Sequence, residues 1–400
     1  MKLFNKSDSK NETQKNNIPL VILAVLAAFA LGIWSGKTDC PKLPPEDVDL
    51  SLFWKTWHTL EENFVDKDKI DHEQMVYGAI DGMVASVGDP YTAFFDPADS
   101  KKFLEDTSGS FEGVGMEIGI KNEQLQVITP LENTPAQNAG IRAGDIIVAI
   151  DGKSSTGIST DEAVNLIRGE KGTQVVLTMY REDWKETKDF PITRAVIQVP
   201  SLEWEIREND IAYIQLYQFT EVAAKDFKTA AIDIVNSPAK KIILDLRNNP
   251  GGYLSVSQDI AGWFLKKGMI VTRETMGTQN QEIEYKSNGP SLLTKYPIVV
   301  LINGGSASAS EILAGALRDN RQIQLVGEKS FGKGSVQQLM TLDGGSSLKV
   351  TIAKWLTPNG DQISDIGLDP DIEVEKTTED EEDNIDPQLD KAIEIVKNLE

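Results

Sequence analysis

Residues 298–317 read IVVLINGGSASASEILAGAL, which is an apolar run followed by a turn of small residues and an amphipathic segment. The run 298–302 has the length and the β-branched composition of a buried strand. Apolar positions recur at helical spacing over 307–317, which predicts a helix there. The stretch therefore predicts a strand, a tight turn and a helix, with Ser308 exposed at the turn.

The segments around this stretch repeat the alternation of strands and helices. Apolar runs of strand length are separated by segments with helical spacing, which indicates an α/β layer built on a largely buried sheet. The expected strands are Ile211–Leu216, Lys241–Leu246, Ile323–Val326 and Leu348–Trp355, and the expected helices lie near Ala223–Val235 and Ser255–Phe264.

A compact mixed domain is expected over residues 108–196, before this layer. The segment is rich in glycine at its start and then alternates short strands with one helix, over 161–168. A strand over 174–180 is expected to close the domain.

A small helical module is expected further upstream. Apolar positions between residues 50 and 104 predict two helices joined by the charged turn 66–71. Both histidines of the chain, His58 and His72, fall in this module, where we interpret them as surface or packing residues.

The composition limits the classes of function. The 400 residues exceed what one hydrophobic core organises and predict a multidomain chain. A formal net charge of -22 would repel phosphate backbones, so nucleic acid is not an expected partner. One cysteine cannot form an internal disulfide, and two histidines do not provide a cluster of zinc-site spacing. No metal site is expected.

The start of the chain has the pattern of a membrane segment. Residues 18–34 form an apolar run, and lysines outnumber acidic residues before it. The run is at the short end of what crosses a bilayer, so a cleaved signal peptide is the alternative. The long polar leader favours an uncleaved anchor over 18–36, with residues 1–17 in the cytoplasm. The rest of the chain is then expected on the periplasmic or extracellular side of the cell membrane.

The turn before the helix 307–317 is a candidate catalytic element. A serine in a strand-to-helix turn is exposed, and the helix amino terminus offers free N–H groups and a positive dipole end to a developing oxyanion. Ser308 and Glu311 also have the spacing of a capping box, in which the serine only closes the helix start. The turn alone leaves both interpretations open.

A second glycine-rich turn, NNPGG at 248–252, follows the expected strand 241–246. It lies beyond the carboxyl end of that strand, which is where such sheets bind ligands. Gly251 and Gly252 have no side chains that would keep a substrate carbonyl away from the backbone. An ordinary turn is the alternative interpretation.

The segment 331–338, FGKGSVQQ, supplies a candidate general base. A serine nucleophile needs a proton acceptor, and the chain has no histidine after His72, which argues against a histidine triad of the chymotrypsin kind. Lys333 can serve only if burial lowers its pKa from about 10.4 to about 7 or 8. Gln337 lies four residues further on, would share a face with Lys333 and would hold its amine.

Short motifs are spread over about residues 50–375. They are GAIDGM (78–83), DPYT (89–92), DLRNNPGG (245–252), SASASE (306–311), FGKGSVQQ (331–338), TPNG (357–360) and GLDPD (367–371). Together they resemble the motifs of the carboxyl-terminal processing, or tail-specific, serine peptidases. The resemblance implies a peptidase core of α/β type, similar to the Clp protease and crotonase folds, and no cofactor.

The resemblance also assigns roles to individual residues. It implies that Ser308 is the nucleophile, that Lys333 is the general base and that Gln337 orients the lysine. The implied oxyanion hole consists of the N–H of Ala309 and that of one glycine in the turn 248–252. The motif leaves open which glycine it is.

The resemblance further implies that residues 108–196 are a PDZ domain. Backbone N–H groups of its glycine-rich loop would capture a terminal carboxylate, while the peptide adds as a strand and its last side chain enters an apolar pocket. The arginine at the end of the PDZ helix would contact the peptide or relay docking. The implied binding residues are Gly113, Val114, Gly115, Met116, Ile118 and Arg168.

The resemblance thus predicts a serine endopeptidase that docks proteins with apolar carboxyl termini and cuts near those termini, and the apolar run at the start of the chain predicts that it is anchored in a membrane. A catalytically silent, membrane-tethered PDZ scaffold is the alternative. An adaptor or activator protein is an expected partner, and so is a second copy of the chain, with Leu389–Leu399 as a candidate dimer element. The expected domains after the anchor are a linker and helical module (37–107), the PDZ domain (108–196), the peptidase core (197–375) and an acidic linker with a terminal helix (376–400). The acidic run Thr377–Asp386 is expected to be a solvated linker.

Overall fold

A computed structural model describes residues 48–399, except for 132, 209, 277–280 and 384. The membrane segment expected over 18–36 lies outside these residues. Among the residues that are described, no helix is both long and apolar enough to cross a bilayer. The chain divides into two compact units, the first ending at Met75 and the second beginning at Val76.

The first unit is helical, as the sequence predicts. Its elements are helix α1 (Ser51–Asn63), a turn of 3-10 helix (Lys67–Lys69) and the start of helix α2 (His72–Ala85), which continues into the second unit. The carboxylate of Glu61 pairs with His58 at 3.1 Å and with His72 at 2.9 Å, and both histidines are largely exposed. His72 therefore links α2 to α1 at the surface, whereas His58 pairs within α1.

The second unit opens with strand β1 (Ala93–Phe95) and helix α3 (Pro97–Ser108). This helix is additional to the two expected between residues 50 and 104. Its start is well defined because the Asp96 side chain accepts the N–H groups of Ala98 and Asp99 at 2.9 Å and Pro97 occupies the first helical position.

A mixed arrangement of strands and helices follows α3 over residues 110–198. Its largest sheet has the strand order β3-β4-β5-β7-β8 with β6 at its side, and buried apolar residues of the strands and of α5 form one core. The elements are β2 (Ser110–Gly113), β3 (Met116–Lys121), β4 (Gln124–Pro130), α4 (Pro135–Asn138), β5 (Ile146–Ile150), β6 (Lys153–Ser154), α5 (Thr160–Ile167), β7 (Gln174–Tyr180), β8 (Lys188–Thr193) and β9 (Ala195–Gln198).

The expectation that 174–180 closes this domain is wrong. Strand β8 pairs with β7 along its whole length, and β9 pairs with β2 at the other end of the domain. Strand β8 contains Pro191 and two charged residues, so it lacks the apolar alternation by which β7 was recognised. The antiparallel pairing of β9 with β2 joins the start and the end of the domain.

The α/β layer contains a six-stranded sheet of order β10-β11-β12-β15-β16-β19, in which β19 is Ile372–Glu373 and only the β10–β11 pair is antiparallel. Helices α6, α7 and α8 cover one face with a large apolar core. The elements are β10 (Leu202–Arg207), β11 (Ile211–Leu216), α6 (Ala223–Asn236), β12 (Lys241–Asp245), α7 (Leu254–Phe264), β13 (Ile270–Met276), β14 (Gln281–Lys286), β15 (Ile298–Ile302), α8 (Ala309–Arg321) and β16 (Gln324–Gly327).

A second, antiparallel sheet lies beside this layer and was not expected from the sequence. The strand expected over Leu348–Trp355 exists, but it belongs to this second sheet and not to the α/β layer, because all its partners are antiparallel to it. The strand order of the second sheet is β1-β18-β13-β14, with β17 also paired to β18. The later elements of the chain are β17 (Ser335–Thr341), β18 (Ser347–Leu356), β19 (Ile372–Glu373), α9 (Thr378–Glu382) and α10 (Pro387–Asn398). Strand β18 therefore brings β1, more than 250 positions earlier in the chain, next to the loop that carries Lys333.

The carboxyl-terminal segment is more ordered than the solvated linker expected up to Asp386. It contains the short helix α9, and Asp386 accepts the Leu389 N–H at 3.0 Å to cap α10. The apolar face of α10, with Leu389, Ala392 and Val396, packs on the sheet face opposite α6 to α8. That face of the candidate dimer element 389–399 is thus already used within the chain.

Candidate active site

Ser308 lies in the turn between β15 and α8, as the sequence predicts. Its φ and ψ of 55° and -112° are outside the regions that residues with a side chain normally adopt. The carboxylate of Glu311 accepts the Ser308 N–H at 2.8 Å, so the Glu311 half of the capping box is present as well. Because such backbone strain persists only where the surroundings enforce it, and typically at functional sites, the turn is more than a helix cap.

Asn249 ties the 248–252 turn to the serine turn. Its fully buried side chain donates to Leu216 O at 2.6 Å and accepts the Gly251 N–H at 2.9 Å. Its carbonyl oxygen accepts the Ala307 N–H at 3.0 Å and the Ser310 hydroxyl at 2.9 Å. Both turns follow parallel strands, and these contacts hold them together at the carboxyl edge of the sheet.

Of the two glycines in that turn, Gly251 lies against the serine. A side chain at this position would come within 2.8 Å of Ser308 Cβ and 2.9 Å of Ala309 N, and its φ of 99° favours glycine. A side chain at Gly252 would instead collide with the backbone of Phe219. The close approach of Gly251 therefore forms one wall of the site.

A buried carboxylate joins the serine turn to the lysine loop. Glu311 is 1% exposed, and its Oε2 accepts the N–H groups of Ser308 at 2.8 Å and Lys333 at 3.0 Å. Its Oε1 accepts the Ser330 hydroxyl at 2.6 Å and the Gly332 N–H at 2.8 Å. We refer to these five residues as the Glu311 cluster. Burial raises the pKa of Glu311, although these four hydrogen bonds oppose the effect.

The surroundings of Lys333 favour its neutral form. Burial lowers its pKa, the positive charge of Lys349 lowers it further, and Glu311 acts in the opposite direction. The Lys333 Nζ lies 5.1 Å from the ring centre of Tyr91, and no hydrogen bond joins it to Ser308 Oγ in the described part of the chain. Catalytic hydrogen bonds are often long before substrate binds, so this arrangement is compatible with a resting enzyme.

Gln337 does not contact the lysine amine in this structure. Its Nε2 donates to Ser335 Oγ at 2.8 Å and to Thr351 Oγ1 at 3.3 Å. Lys333 lies in the loop before β17, and the pairing with β18 shifts its register immediately before Gln337. The expected shared face of Lys333 and Gln337 therefore does not exist here, and the orienting role of Gln337 stays a prediction.

Three residues of this site were not recognised as such from the sequence. Glu311 was assigned only a capping role, and Tyr91 belongs to the DPYT motif, which carried no assigned chemistry. Lys349 lies 5.3 Å from the ring centres of both Phe95 and Phe103. Its position near Lys333 depends on the pairing of β18, for which no local signal exists. Among the described residues no group of histidine, cysteine, aspartate and glutamate side chains could hold a metal ion.

The predicted tail-binding residues lie together between β3 and α5. All of them except Gly113 line a cavity of about 60 Å³. Gly113 lies at its edge, where a side chain would come within 3.1 Å of the Phe111 ring, and Gly115 has a φ of 79°. The residues lining the cavity are Phe111, Val114, Gly115, Met116, Ile118, Val164, Ile167 and Arg168.

Arg168 connects this cavity to helix α3. Its guanidinium lies 4.4 Å from the Phe111 ring centre, and its Nη1 lies 3.4 Å from Glu105 and 3.9 Å from Asp106. The side chain therefore touches the lining of the cavity on one side and a helix outside the mixed domain on the other.

Comparisons with protein families agree with this arrangement of elements. Residues 210–374 match the model of peptidase family S41, and residues 126–181 match a PDZ domain. Residues 38–98 match the N-terminal domain of the activating protease CtpB. A solved structure from Bacteroides fragilis, provisionally named an S41 protease, shares the fold with a TM-score of 0.51 at 15% identity, covering 90% of this chain and 99% of that one.

Curated relatives are similar over most of the chain. The carboxy-terminal-processing protease of Bartonella bacilliformis is 41% identical over 311 residues, which cover 76% of this chain and 71% of that protein. The carboxy-terminal processing protease CtpA of Bacillus subtilis is 39% identical over 77% of this chain and 65% of its own length. At this identity and coverage the chain belongs to the carboxy-terminal processing proteases of peptidase family S41, which makes it a serine-type peptidase.

Proposed function

We propose that the chain is an endopeptidase in which Ser308 is the nucleophile and Lys333 the general base. The observation that carries this assignment is the Glu311 carboxylate, one oxygen of which binds the backbone N–H of both residues. The strained serine backbone at a helix start and the lowered pKa of the lysine support the same roles.

The proposed reaction follows the logic of a serine and lysine pair. Neutral Lys333 takes the Ser308 proton while Oγ attacks the substrate carbonyl, and the oxyanion accepts the N–H of Ala309 and one from the 248–252 turn. The C–N bond then breaks, and the lysine ammonium gives its proton to the leaving amine. Water, activated by the same lysine, hydrolyses the resulting acyl-enzyme.

The reaction requires small rearrangements of the site. The Lys333 amine must leave the Tyr91 ring for Ser308, and we propose that Gln337 then turns from Ser335 towards it. The Gly251 N–H donates to Asn249 Oδ1 in this structure, so that bond must break if Gly251 is the oxyanion donor. Gly252 is the alternative donor.

We propose that residues 108–196 dock the carboxyl terminus of a substrate. The loop Gly113–Met116 would hold the terminal carboxylate, and the cavity between β3 and α5 would take the last side chain. Its volume of about 60 Å³ favours a small apolar residue. The proposed boundaries of the other domains are 37–107, 197–375 and 376–400.

Arg168 is the proposed link between docking and catalysis. It touches the cavity lining and pairs with Glu105 of α3, and the Thr107 hydroxyl of the same helix accepts the Tyr253 hydroxyl at 3.3 Å. Tyr253 directly follows the 248–252 turn. A tail that displaces Arg168 would therefore act on a helix that contacts the oxyanion turn.

We also propose a membrane anchor at 18–36 that holds the catalytic part on the periplasmic or extracellular side. The match of 38–98 to an activating protease domain supports the proposal of an adaptor or activator. A homodimer is proposed through the first unit, because Leu52, Trp54 and Leu60 of α1 are exposed apolar residues.

The proposed function can be tested with the purified full-length chain in mild detergent. An unstructured protein with an apolar carboxyl terminus is incubated with wild type, Ser308→Ala and Lys333→Ala, and product masses are measured. We expect cleavage by wild type and none by either variant. Lys329→Ala is the matched control, because this exposed lysine of the same loop pairs with Asp369 and not with the Glu311 cluster. Cleavage by Lys333→Ala at the rate of the control would contradict the lysine mechanism, and inactive wild type would favour a silent scaffold.

A further inference from the structure

Arg247 directly precedes the 248–252 turn and is bonded to two carboxylates. It is 11% exposed, its Nη2 lies 2.6 Å from Asp245 Oδ2, and its Nε donates to the same carboxylate at 3.0 and 3.1 Å. Its Nη1 and Nη2 each donate to an oxygen of Asp386 at 2.8 Å, and Nη1 also donates to Gln388 at 3.0 Å. We refer to these four residues as the Arg247 cluster.

The Asp386 end of the cluster is fixed by the fold. Asp386 caps α10, whose residues Leu389, Ala392 and Val396 are buried on the sheet. Burial alone would raise the pKa of Asp386, but the hydrogen bonds from Arg247 and from the Leu389 N–H outweigh it and lower the pKa. The guanidinium is thus held by a charged residue 139 positions later in the chain.

The Arg247 end of the cluster is connected to the two catalytic turns through the next residue in the chain. Asn248, the residue after Arg247, has a φ of 58°. Its N–H donates to Asn303 Oδ1 at 2.8 Å, and Asn303 Nδ2 donates back to Asn248 Oδ1 at 2.9 Å. Asn303 N–H in turn donates to Ser306 Oγ at 3.0 Å. A shift of Arg247 would therefore move both the oxyanion turn and the serine turn.

We infer that Asp386 is a positioning residue for the peptidase reaction, and that it acts through Arg247 on the oxyanion turn. Its charge fixes the guanidinium, which fixes the residue from which the 248–252 turn departs. Misplacing an oxyanion donor by a fraction of an ångström costs transition-state stabilisation and leaves tail docking unaffected. This inference rests on the proposed function of Ser308 and the 248–252 turn.

The test compares Asp386→Asn with Asp390→Asn in the full-length protein. Asparagine caps helices as well as aspartate does, so the first variant removes the charge opposite Arg247 and keeps the cap. Asp390 lies exposed in the first turn of the same helix and gives the same change in net charge. We expect kcat to fall about tenfold or more in Asp386→Asn. KM should stay near that of Asp390→Asn, and the thermal midpoint should lie no more than about 4 °C below it.

A peptidyl boronate that mimics the tetrahedral oxyanion separates positioning from loss of structure. Its affinity should weaken in Asp386→Asn by the same factor as kcat, because both depend on the oxyanion donors. An unchanged kcat would overturn the inference. A thermal midpoint far below that of Asp390→Asn would also overturn it, because the loss of activity would then reflect a loss of structure. Wild-type activity that is lost in Ser308→Ala, together with an unaffected Asp386→Asn, would refute only this inference and leave the proposed function standing.

Discussion

The Glu311 cluster and the Arg247 cluster both place a buried charge beneath a catalytic loop, but they bind that charge differently. Glu311 accepts three backbone N–H groups and one hydroxyl, all of them neutral. Arg247 instead forms ion pairs with Asp245 and Asp386. Accordingly the pKa of Glu311 is raised, mainly by burial, whereas the hydrogen bonds from Arg247 help to lower that of Asp386.

The difference follows from what each loop must do. Lys333 has to lose its proton near neutral pH, and a carboxylate paired with its amine would raise its pKa. Glu311 holds the lysine loop by its backbone, so the amine itself stays unpaired with the carboxylate. No group in the Arg247 cluster has to titrate during the reaction, so strong ion pairs can fix the oxyanion turn without a cost to catalysis.

Of the variants that test this comparison, Glu311→Ala should cause the largest loss of activity. Glu311→Ala leaves four donors without their acceptor and releases both the Ser308 and the Lys333 backbone. We expect kcat/KM for an unstructured protein substrate to fall by about 1000-fold, since nucleophile and base lose their relative position. The thermal midpoint should fall as well, because buried donors without partners are costly.

Ser330→Ala is the graded control for this prediction. It removes one of the four donors to Glu311 and leaves the two backbone bonds to Ser308 and Lys333. It also removes the acceptor of the Leu368 N–H at 2.6 Å, so the thermal midpoint should fall. A loss of kcat/KM of about tenfold or less is expected, because nucleophile and base stay linked through Glu311. If Glu311→Ala and Ser330→Ala lost activity equally, the carboxylate would not be the link between the two loops.

The next largest effect should come from Lys349, the second cation near Lys333. Lys349→Met removes a positive charge that lowers the Lys333 pKa, so that pKa should rise. Because the base acts in its neutral form, the rising limb of kcat/KM against pH should move to higher pH by about 0.5 to 1 pH unit. At pH 7 the rate would fall by up to about tenfold.

Lys354→Met provides the control for the shift in the pH profile. This lysine is on the same strand, β18, but is exposed. Its replacement makes the same change in net charge and should leave the profile where it is. A Lys349→Met enzyme with a lower rate and an unmoved limb would show that Lys349 supports the Phe95 and Phe103 packing rather than the pKa.

Local patterns were enough to predict the parallel layer. The strands at 211–216 and 298–302 and the helices that follow them have continuous apolar runs or helical spacing, and they were placed with little error. The strand at 348–355 was predicted but was assigned to the wrong sheet, because its partners β1 and β13 lie far away in the chain. Pairing partners are set by tertiary packing, which local periodicity does not encode.

The same distinction between local patterns and tertiary packing applies to the candidate site. Ser308, Lys333 and the 248–252 turn could be identified from short motifs, because each lies in one continuous segment. The contacts that tune these groups could not be identified, since Tyr91 and Lys349 reach Lys333 only through the second sheet. Asp386 was taken for the end of a solvated acidic run, and only the fold shows that it pairs with Arg247.

The smallest expected effect concerns the ion pair between Arg247 and Asp386. Its measurement tests whether this pair is formed in solution. A carboxyl group whose pKa is lowered on folding stabilises the protein above its ordinary pKa of about 3.9 and loses that contribution as the pH falls through the folded value. Asp386→Asn should therefore lower the free energy of unfolding by about 1 kcal/mol at pH 7, and by progressively less below pH 4. Urea unfolding between pH 3 and 7 measures this difference, with Asp390→Asn as the variant that should show none. A difference that stays constant with pH would mean that it does not come from the charge of Asp386, because asparagine keeps the cap. In that case the contrast with the Glu311 cluster would not rest on charge.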